Sequence, residues 1–342
     1  MADRSPANGD DGPIVSVRDL KTYFRSDEGI VRAVDGVSFD VRAGRTLGIV
    51  GESGCGKSIT ARSILGIVDR PGRIEAGEIW LRRGNAAPLN LAALDPRGAE
   101  MRDIRGKDIA LVFQEPMASF SLHYTVGNQI AEAIRLHNPV SRAEARSRAI
   151  DLLRSVGVPR PERRIDEYPF QLSGGLRQRV MIAMALACSP RVLIADEPTT
   201  ALDVTTQAQI LDLLRDLQAR QGLALILITH DMGVIAEMAD DVVVMYLGRA
   251  VEKGPVDEIF HAPRHPYTRA LLRSIPSILA KPRSKLATIS GSIPHPFARP
   301  AGCAYHPRCT EFLAGTCDRA EPVPHVIDLQ RQVSCFLYGG PA

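Results

Sequence analysis

Apolar positions along the chain change period several times, and each change marks an element. Ile14-Val15-Ser16-Val17, Lys21-Thr22-Tyr23-Phe24 and the alternating Val37-Ser38-Phe39-Asp40-Val41 read as strands, the last ending at the turn Ala43-Gly44. Leu47-Gly48-Ile49-Val50, Ile109 to Phe113, Arg191 to Ala195 and Leu223 to Ile228 are short, nearly continuous apolar runs, the kind that strands buried on both faces carry. Helical period appears from Ile59 to Val68, from Val126 to about Val156 (Ile130, Ala133, Ile134), in the charged stretch Arg142 to Gly157, from Val180 to Cys188, and around Ile210 to Leu217. Between Gly77 and Asp108 the punctuation by Gly84, Pro88, Pro96 and Gly98 predicts a hairpin-like insertion with loops. Strands alternating with helices predict an α/β fold with a mostly parallel sheet, an antiparallel β insertion and a helical subdomain at about 115–178. Residues 1–12 are polar and predicted to be a disordered tail, 13–255 the main domain, and 256–342 a small proline- and cysteine-rich extension.

Composition narrows the classes. At 45% hydrophobic and 24% charged the chain is expected to be globular, and Lys+Arg at 42 against Asp+Glu at 39 leaves no basic footprint for nucleic acid. Val180 to Cys188 and Leu223 to Ile228 fall short of the ~18 apolar residues that cross a bilayer, and Met-Ala-Asp-Arg-Ser opens without an apolar leader core. The expectation is a chain that neither spans a membrane nor is secreted, with six cysteines used for metal or catalysis rather than as a disulfide framework.

Chemistry concentrates first at Gly51-Glu52-Ser53-Gly54-Cys55-Gly56-Lys57-Ser58, which fits G-x-x-x-x-G-K-[ST] between a predicted strand and a predicted helix. In such a loop Gly51, Ser53, Gly54, Gly56 and Ile59 surround the phosphates, Lys57 reaches the outer phosphate oxygens, and Ser58 holds magnesium. Gln114 follows a predicted strand, where ligands of parallel sheets bind. Gln171 to Arg179 precedes a predicted helix; Ser173 suits an N-cap, and Gly174 and Gly175 leave free N–H groups at a second anion site, one more than a single nucleotide needs. Arg191 to Ala195 delivers Asp196 and Glu197, a magnesium carboxylate and a base for water. His230 ends another strand as a candidate phosphate sensor. Tyr23 or Phe24 is a candidate platform for an adenine ring, with ordinary packing in the sheet as the alternative.

From Ile14 to Pro255 the chain resembles the nucleotide-binding subunits of ATP-binding-cassette transporters, P-loop NTPases in which the Leu-Ser-Gly-Gly signature of one subunit closes over ATP on the other's phosphate loop. The resemblance implies ATP and Mg2+ as cofactors, a head-to-tail dimer, Glu197 as catalytic base, His230 as switch, Asp203 at the dimer interface, and Gln114 as magnesium ligand and link to membrane subunits. The extension carries Cys303, Cys309, Cys317 and Cys335 in C-x5-C-x7-C-x17-C, which matches neither a zinc ribbon nor a bacterial ferredoxin. By their residues alone these are four thiolates for one site. Gly302-Cys303-Ala304-Tyr305-His306-Pro307-Arg308-Cys309 is similar to the Gly-Cys-x-x-x-Pro-Arg-Cys motif of peptide-importer ATPases. That resemblance implies a [4Fe-4S] cluster in at least some members; zinc, with His306 or His325 as substitute ligands, and unligated or disulfide-linked thiols are the alternatives. Cys55 and Cys188 read as packing residues. The implied function is ATP hydrolysis driving uptake of oligopeptides or dipeptides, with nickel or glutathione importers of the same branch and a non-transport cassette ATPase as rivals. The implied partners are a second, homologous ATPase chain, two transmembrane permease subunits and an extracytoplasmic substrate-binding protein, which places the chain on the cytoplasmic face of the membrane.

Overall fold

The computed structural model describes residues 12–84, 86–275 and 289–339, so all of the predicted tail except Gly12 lies outside the described residues. Val15–Ser26 (β1) and Gly29–Val41 (β2) form a long antiparallel hairpin. β1 runs through both short strands that the alternation predicted. Register shifts around Arg18 and Asp19, where Asp19 takes φ 45°, form a bulge that interrupts the alternation without ending the strand. Thr46–Val50 (β3) leads into the phosphate-loop motif and Lys57–Ile64 (α1). Gly72–Leu81 (β4) returns to pair with β1, and Leu89–Asn90 (β5) completes a four-stranded sheet in the order β2-β1-β4-β5.

Ile109–Val112 (β6) opens the second half, followed by Val126–His137 (α2), Arg142–Ser155 (α3) and Gly174–Ala185 (α4). Thr125 and Ser141 start α2 and α3 by accepting the backbone N–H of Asn128 and Glu144 on their hydroxyls. Then come Val192–Asp196 (β7), Val204–Gln221 (α5), Ala224–Thr229 (β8), Met232–Met238 (α6), Asp241–Tyr246 (β9) and Arg249–Pro255 (β10). Every residue of β3, β7 and β8 is buried, because the sheet is covered on both faces.

The eight-stranded sheet has the order β11-β12-β10-β9-β3-β8-β7-β6, in which β9, β3, β8, β7 and β6 pair in parallel. Its last two strands, His325–Asp328 (β11) and Arg331–Val333 (β12), come from the extension. The boundary expected after Pro255 is therefore not a break in the fold. β12 pairs with β10 at Glu252 and Lys253, and the buried Glu252 carboxylate pairs with the equally buried Arg331 guanidinium at 3.1 Å. Pro266–Arg273 (α7) lies between these strands in the chain and contributes buried Tyr267 and Leu271 to the same apolar core.

Candidate active site

The parallel sheet gathers the functional loops because its strands point one way. Val50, Val112, Asp196 and Thr229 end β3, β6, β7 and β8, and directly beyond them stand the phosphate loop, Gln114, Glu197 and His230. The loop needs its glycines: a Cβ at Gly51 would lie 2.2 Å from the Met245 carbonyl oxygen and one at Gly56 2.1 Å from that of Ala33, and both take positive φ. Gly56 is the N-cap of α1 with no side chain capping it, so the first N–H groups of that helix are left for an anion.

Lys57 is 5% exposed, and its ammonium donates to the carbonyls of Gly51 (2.8 Å) and Glu52 (3.2 Å). Ser58 Oγ donates to Asp196 Oδ1 at 3.0 Å, which offers a hydroxyl and a carboxylate to one cation. Burial raises the Asp196 carboxyl above its ordinary value, with the neighbouring Glu197 charge acting the same way and the Ser58 hydrogen bond opposing them.

Glu197 sits at φ 47°, a left-handed conformation held by its N–H donating to the Ile228 carbonyl at 2.8 Å. Its Oε2 accepts from Gln114 Nε2 (3.0 Å) and Thr200 Oγ1 (2.9 Å), and its Oε1 lies 3.2 Å from His230 Nδ1. Burial pushes this carboxyl upward, but the hydrogen bonds from Thr200 and His230 outweigh it, so the group stays ionised below its usual range. Ser53, Gly54, Gly56, Lys57, Ser58, Ile59, Gln114 and Glu197 all line one cavity.

Three expectations are corrected. Neither Tyr23 nor Phe24 lines that cavity. The Tyr23 hydroxyl donates to Asp35 at 2.6 Å, and the Phe24 ring occupies the space above Gly72, where a Cβ would lie 2.5 Å from it. The extension supplies an aromatic ring instead: Phe297 lines the cavity with Pro296, Arg299, Ile30 and Val31, and lies 3.4 Å from where a Cβ at Gly29 would stand. Sequence reasoning had no signal for this, since Phe297 lies far beyond the loop in the chain. Secondly, α4 begins at Gly174 rather than near Val180; Ser173 does stand at its N-cap, as expected, though its hydroxyl makes no capping hydrogen bond, unlike those of Thr125 and Ser141. Thirdly, His325 is in exposed β11 and outside the pocket that the cysteines line.

Ser173, Gly174 and Gly175 do not reach the cavity of their own chain. They lie beside the start of α5, where a Cβ at Gly175 would be 2.7 Å from Thr206 Cγ2. Asp203 caps that helix, accepting the Thr206 N–H (3.0 Å) and hydroxyl (2.7 Å), and those bonds hold its carboxyl below the ordinary range.

Cys303, Cys309, Cys317 and Cys335 line one small pocket with Tyr305, His306 and Phe336. Burial pushes the Cys303 and Cys335 thiols up to about 11. Among the described residues no three His, Cys, Asp or Glu side chains converge on a position for a single metal ion. Cys55 and Cys188 pack as expected, the first buried within the loop beside Lys57 and the second beside Asn138. No helix among the described residues is long and apolar enough to cross a membrane.

Comparison with known proteins accords with this geometry. The family described as ABC transporter matches residues 34–200, and the oligopeptide/dipeptide transporter C-terminal region matches 251–317. A probable peptide ABC transporter ATP-binding protein of Sinorhizobium fredii, y4tR, is 49% identical over 94% of this chain and 94% of its own length. The dipeptide transport ATP-binding protein DppD of Escherichia coli is 46% identical over 94% of this chain and 96% of its own. Among solved structures, the dimeric bacterial ABC transporter cassette MJ0796 superposes with a TM-score of 0.62 at 27% identity, covering 71% of this chain and 98% of that one. A second dimeric structure of MJ0796, in a post-hydrolysis state bound to ADP and Pi, matches equally.

Proposed function

The chain belongs to the ATP-binding subunits of ABC transporters, in the branch that imports oligopeptides and dipeptides, and from that premise we propose how its residues divide the work. ATP hydrolysis is the reaction. The N–H groups of Ser53 to Ser58 receive the phosphates, and Lys57 exchanges its two carbonyl partners for phosphate oxygens. Ser58, Asp196 and Gln114 would hold magnesium, which on binding neutralises developing phosphate charge. Glu197, ionised and oriented by Gln114, Thr200 and His230, takes the proton of the attacking water, while His230 senses the terminal phosphate. The adenine lies at the end of the cavity lined by Ile30, Val31 and Phe297.

Ser173 to Gly175 and Asp203 act on the partner's nucleotide, since in their own chain they stand away from the loop. A homologous second ATPase, two permease subunits and, through them, an extracytoplasmic substrate-binding protein complete the transporter, with this chain on the cytoplasmic face. The four cysteines would hold a [4Fe-4S] cluster in a structural role. What supports a cluster is that four thiols spread from Cys303 to Cys335 line one small pocket, the ligand type and number that such a group takes.

The observation that carries the hydrolytic reading is the Glu197 carboxylate, fixed by three side chains at the rim of the phosphate-loop cavity. Glu197→Gln is expected to lower steady-state hydrolysis by the assembled transporter roughly a hundredfold or more while ATP binding persists. Hydrolysis near the wild-type rate would remove Glu197 as the base.

A further inference from the structure

The motif Gly302 to Cys309 places its two cysteines in the four-cysteine pocket but leaves its arginine outside it. Arg308 faces the other way. Its side chain is 4% exposed and forms a two-pronged pair with Glu52, the second residue of the phosphate loop: Nη1 to Oε2 at 2.6 Å and Nη2 to Oε1 at 3.0 Å. Nε donates to the Ser290 carbonyl at 3.0 Å, and the guanidinium carbon lies 5.8 Å from the centroid of the Tyr246 ring. Arg308 is thus clamped by its own lobe and aimed at the loop.

The Glu52 backbone is held as well. Its N–H donates to the Tyr267 hydroxyl at 2.9 Å, and its carbonyl accepts from Lys57 at 3.2 Å. Tyr267, Tyr246 and Tyr305 pack ring to ring with centroids 4.8, 5.2 and 5.3 Å apart, and Tyr305 stands in the chain between Cys303 and Cys309. One ion pair and one layer of aromatic rings therefore connect the cysteine pocket to the phosphate loop.

We infer that Arg308 is a positioning residue for ATP binding: it holds Glu52, and through it the loop whose N–H groups receive the phosphates, so that the order of the four-cysteine lobe sets nucleotide affinity. This rests on the reading of Gly51 to Ser58 as the nucleotide site. When ATP enters, Lys57 must leave the Gly51 and Glu52 carbonyls, and the loop loses the contacts that close it from within. A loop braced from outside keeps its shape and binds without the cost of reordering. Arginine suits the task because its planar fork fixes a carboxylate in both position and orientation, which a lysine point charge does not.

The test is equilibrium binding of a fluorescent ATP analogue to the full-length chain and its Glu52→Gln, Arg308→Gln, Arg308→Lys and Tyr267→Phe variants and the Glu52→Gln/Arg308→Gln double. Glu52→Gln and Arg308→Gln are each expected to weaken binding about tenfold, a magnitude ordinary for coupling between sites. The double variant should lose no more than either single one, because both remove the same interaction, and Arg308→Lys should recover only part of the loss. Stoichiometry stays at the wild-type value, and in the assembled transporter KM for ATP rises while kcat holds within about twofold. Dissociation constants within about twofold of wild type, losses that multiply in the double variant, or fewer binding sites at unchanged affinity would each overturn the inference and leave the nucleotide reading intact. A wild-type chain that does not bind the analogue would overturn both. If Arg308→Gln does not fold, Glu52→Gln and Tyr267→Phe carry the same test from the loop side.

Discussion

Single side chains in this protein are committed by short-range partners that the sequence does not display. Tyr23 is aromatic and stands upstream of the phosphate loop, yet its hydroxyl is spent on Asp35, whereas Phe297 from the extension faces the cavity. A base stacked on an aromatic ring gains about 1–3 kcal/mol, so Phe297→Ala is expected to raise KM for ATP between several-fold and a hundredfold, with kcat little changed. Tyr23→Phe should leave KM alone and lower thermal stability instead, through the lost Asp35 bond. The reverse ranking in a steady-state ATP titration would return the stacking role to β1.

Among the elements, the joint between β10 and β12 is built around a fully buried ion pair. Glu252 accepts the N–H groups of Arg264 (2.8 Å) and His265 (2.9 Å) as well as the Arg331 guanidinium, and Arg331 also reaches Glu258 and the Ala262 carbonyl. Removing one partner from a buried pair strands the other charge, at a cost of about 3–5 kcal/mol. Arg331→Met is expected to lower the denaturant midpoint by the equivalent of that loss, whereas Arg220→Met, whose exposed pair with Asp216 lies one turn away on α5, should change it by well under about 1 kcal/mol. Equal effects in urea titrations would mean that the β10–β12 joint contributes no more than a surface pair. The apolar residues of the other elements pack into two buried clusters.

Over the whole molecule, several links tie the extension to the rest. One is Asp35, buried on β2 and bonded by Tyr23, Arg249 and Arg299; the last of these comes from the extension. Burial raises the Asp35 carboxyl, but the Tyr23 bond and the two guanidinium charges outweigh it and hold it below the ordinary carboxylate range. A carboxyl depressed in the folded state adds stability above its unfolded value, near pH 3.9, and that stability is lost as pH falls through the folded value. Melting temperature should therefore fall more steeply below about pH 4 in the wild type than in Asp35→Asn, which is weaker at neutral pH but flatter in acid. Parallel curves would show that the cluster does not respond to pH. Within the extension, about four irons and four sulfides per anaerobically purified chain, lost in Cys309→Ser, are expected of a [4Fe-4S] site, and zinc or no metal would refute it.

Much of this was legible in the residues. Lys57, Ser58, Asp196, Glu197 and His230 stand in motifs that follow apolar runs, and the sheet brings all of them to one edge because the strands those runs form are parallel. Ser173 to Gly175 read in the sequence as a second anion site, and in the structure they do not line the cavity of their own phosphate loop. Periodicity also marked the strands and helices, except where a bulge at Asp19 or glycines at the start of α4 broke the local pattern. Local pattern carries nothing, however, about which distant segments meet. That Arg308 would close on Glu52, Phe297 on the cavity and Arg331 on Glu252 depended on the path of the extension back across β10, and only the packing of buried charges and rings, satisfied together in three dimensions, decided it.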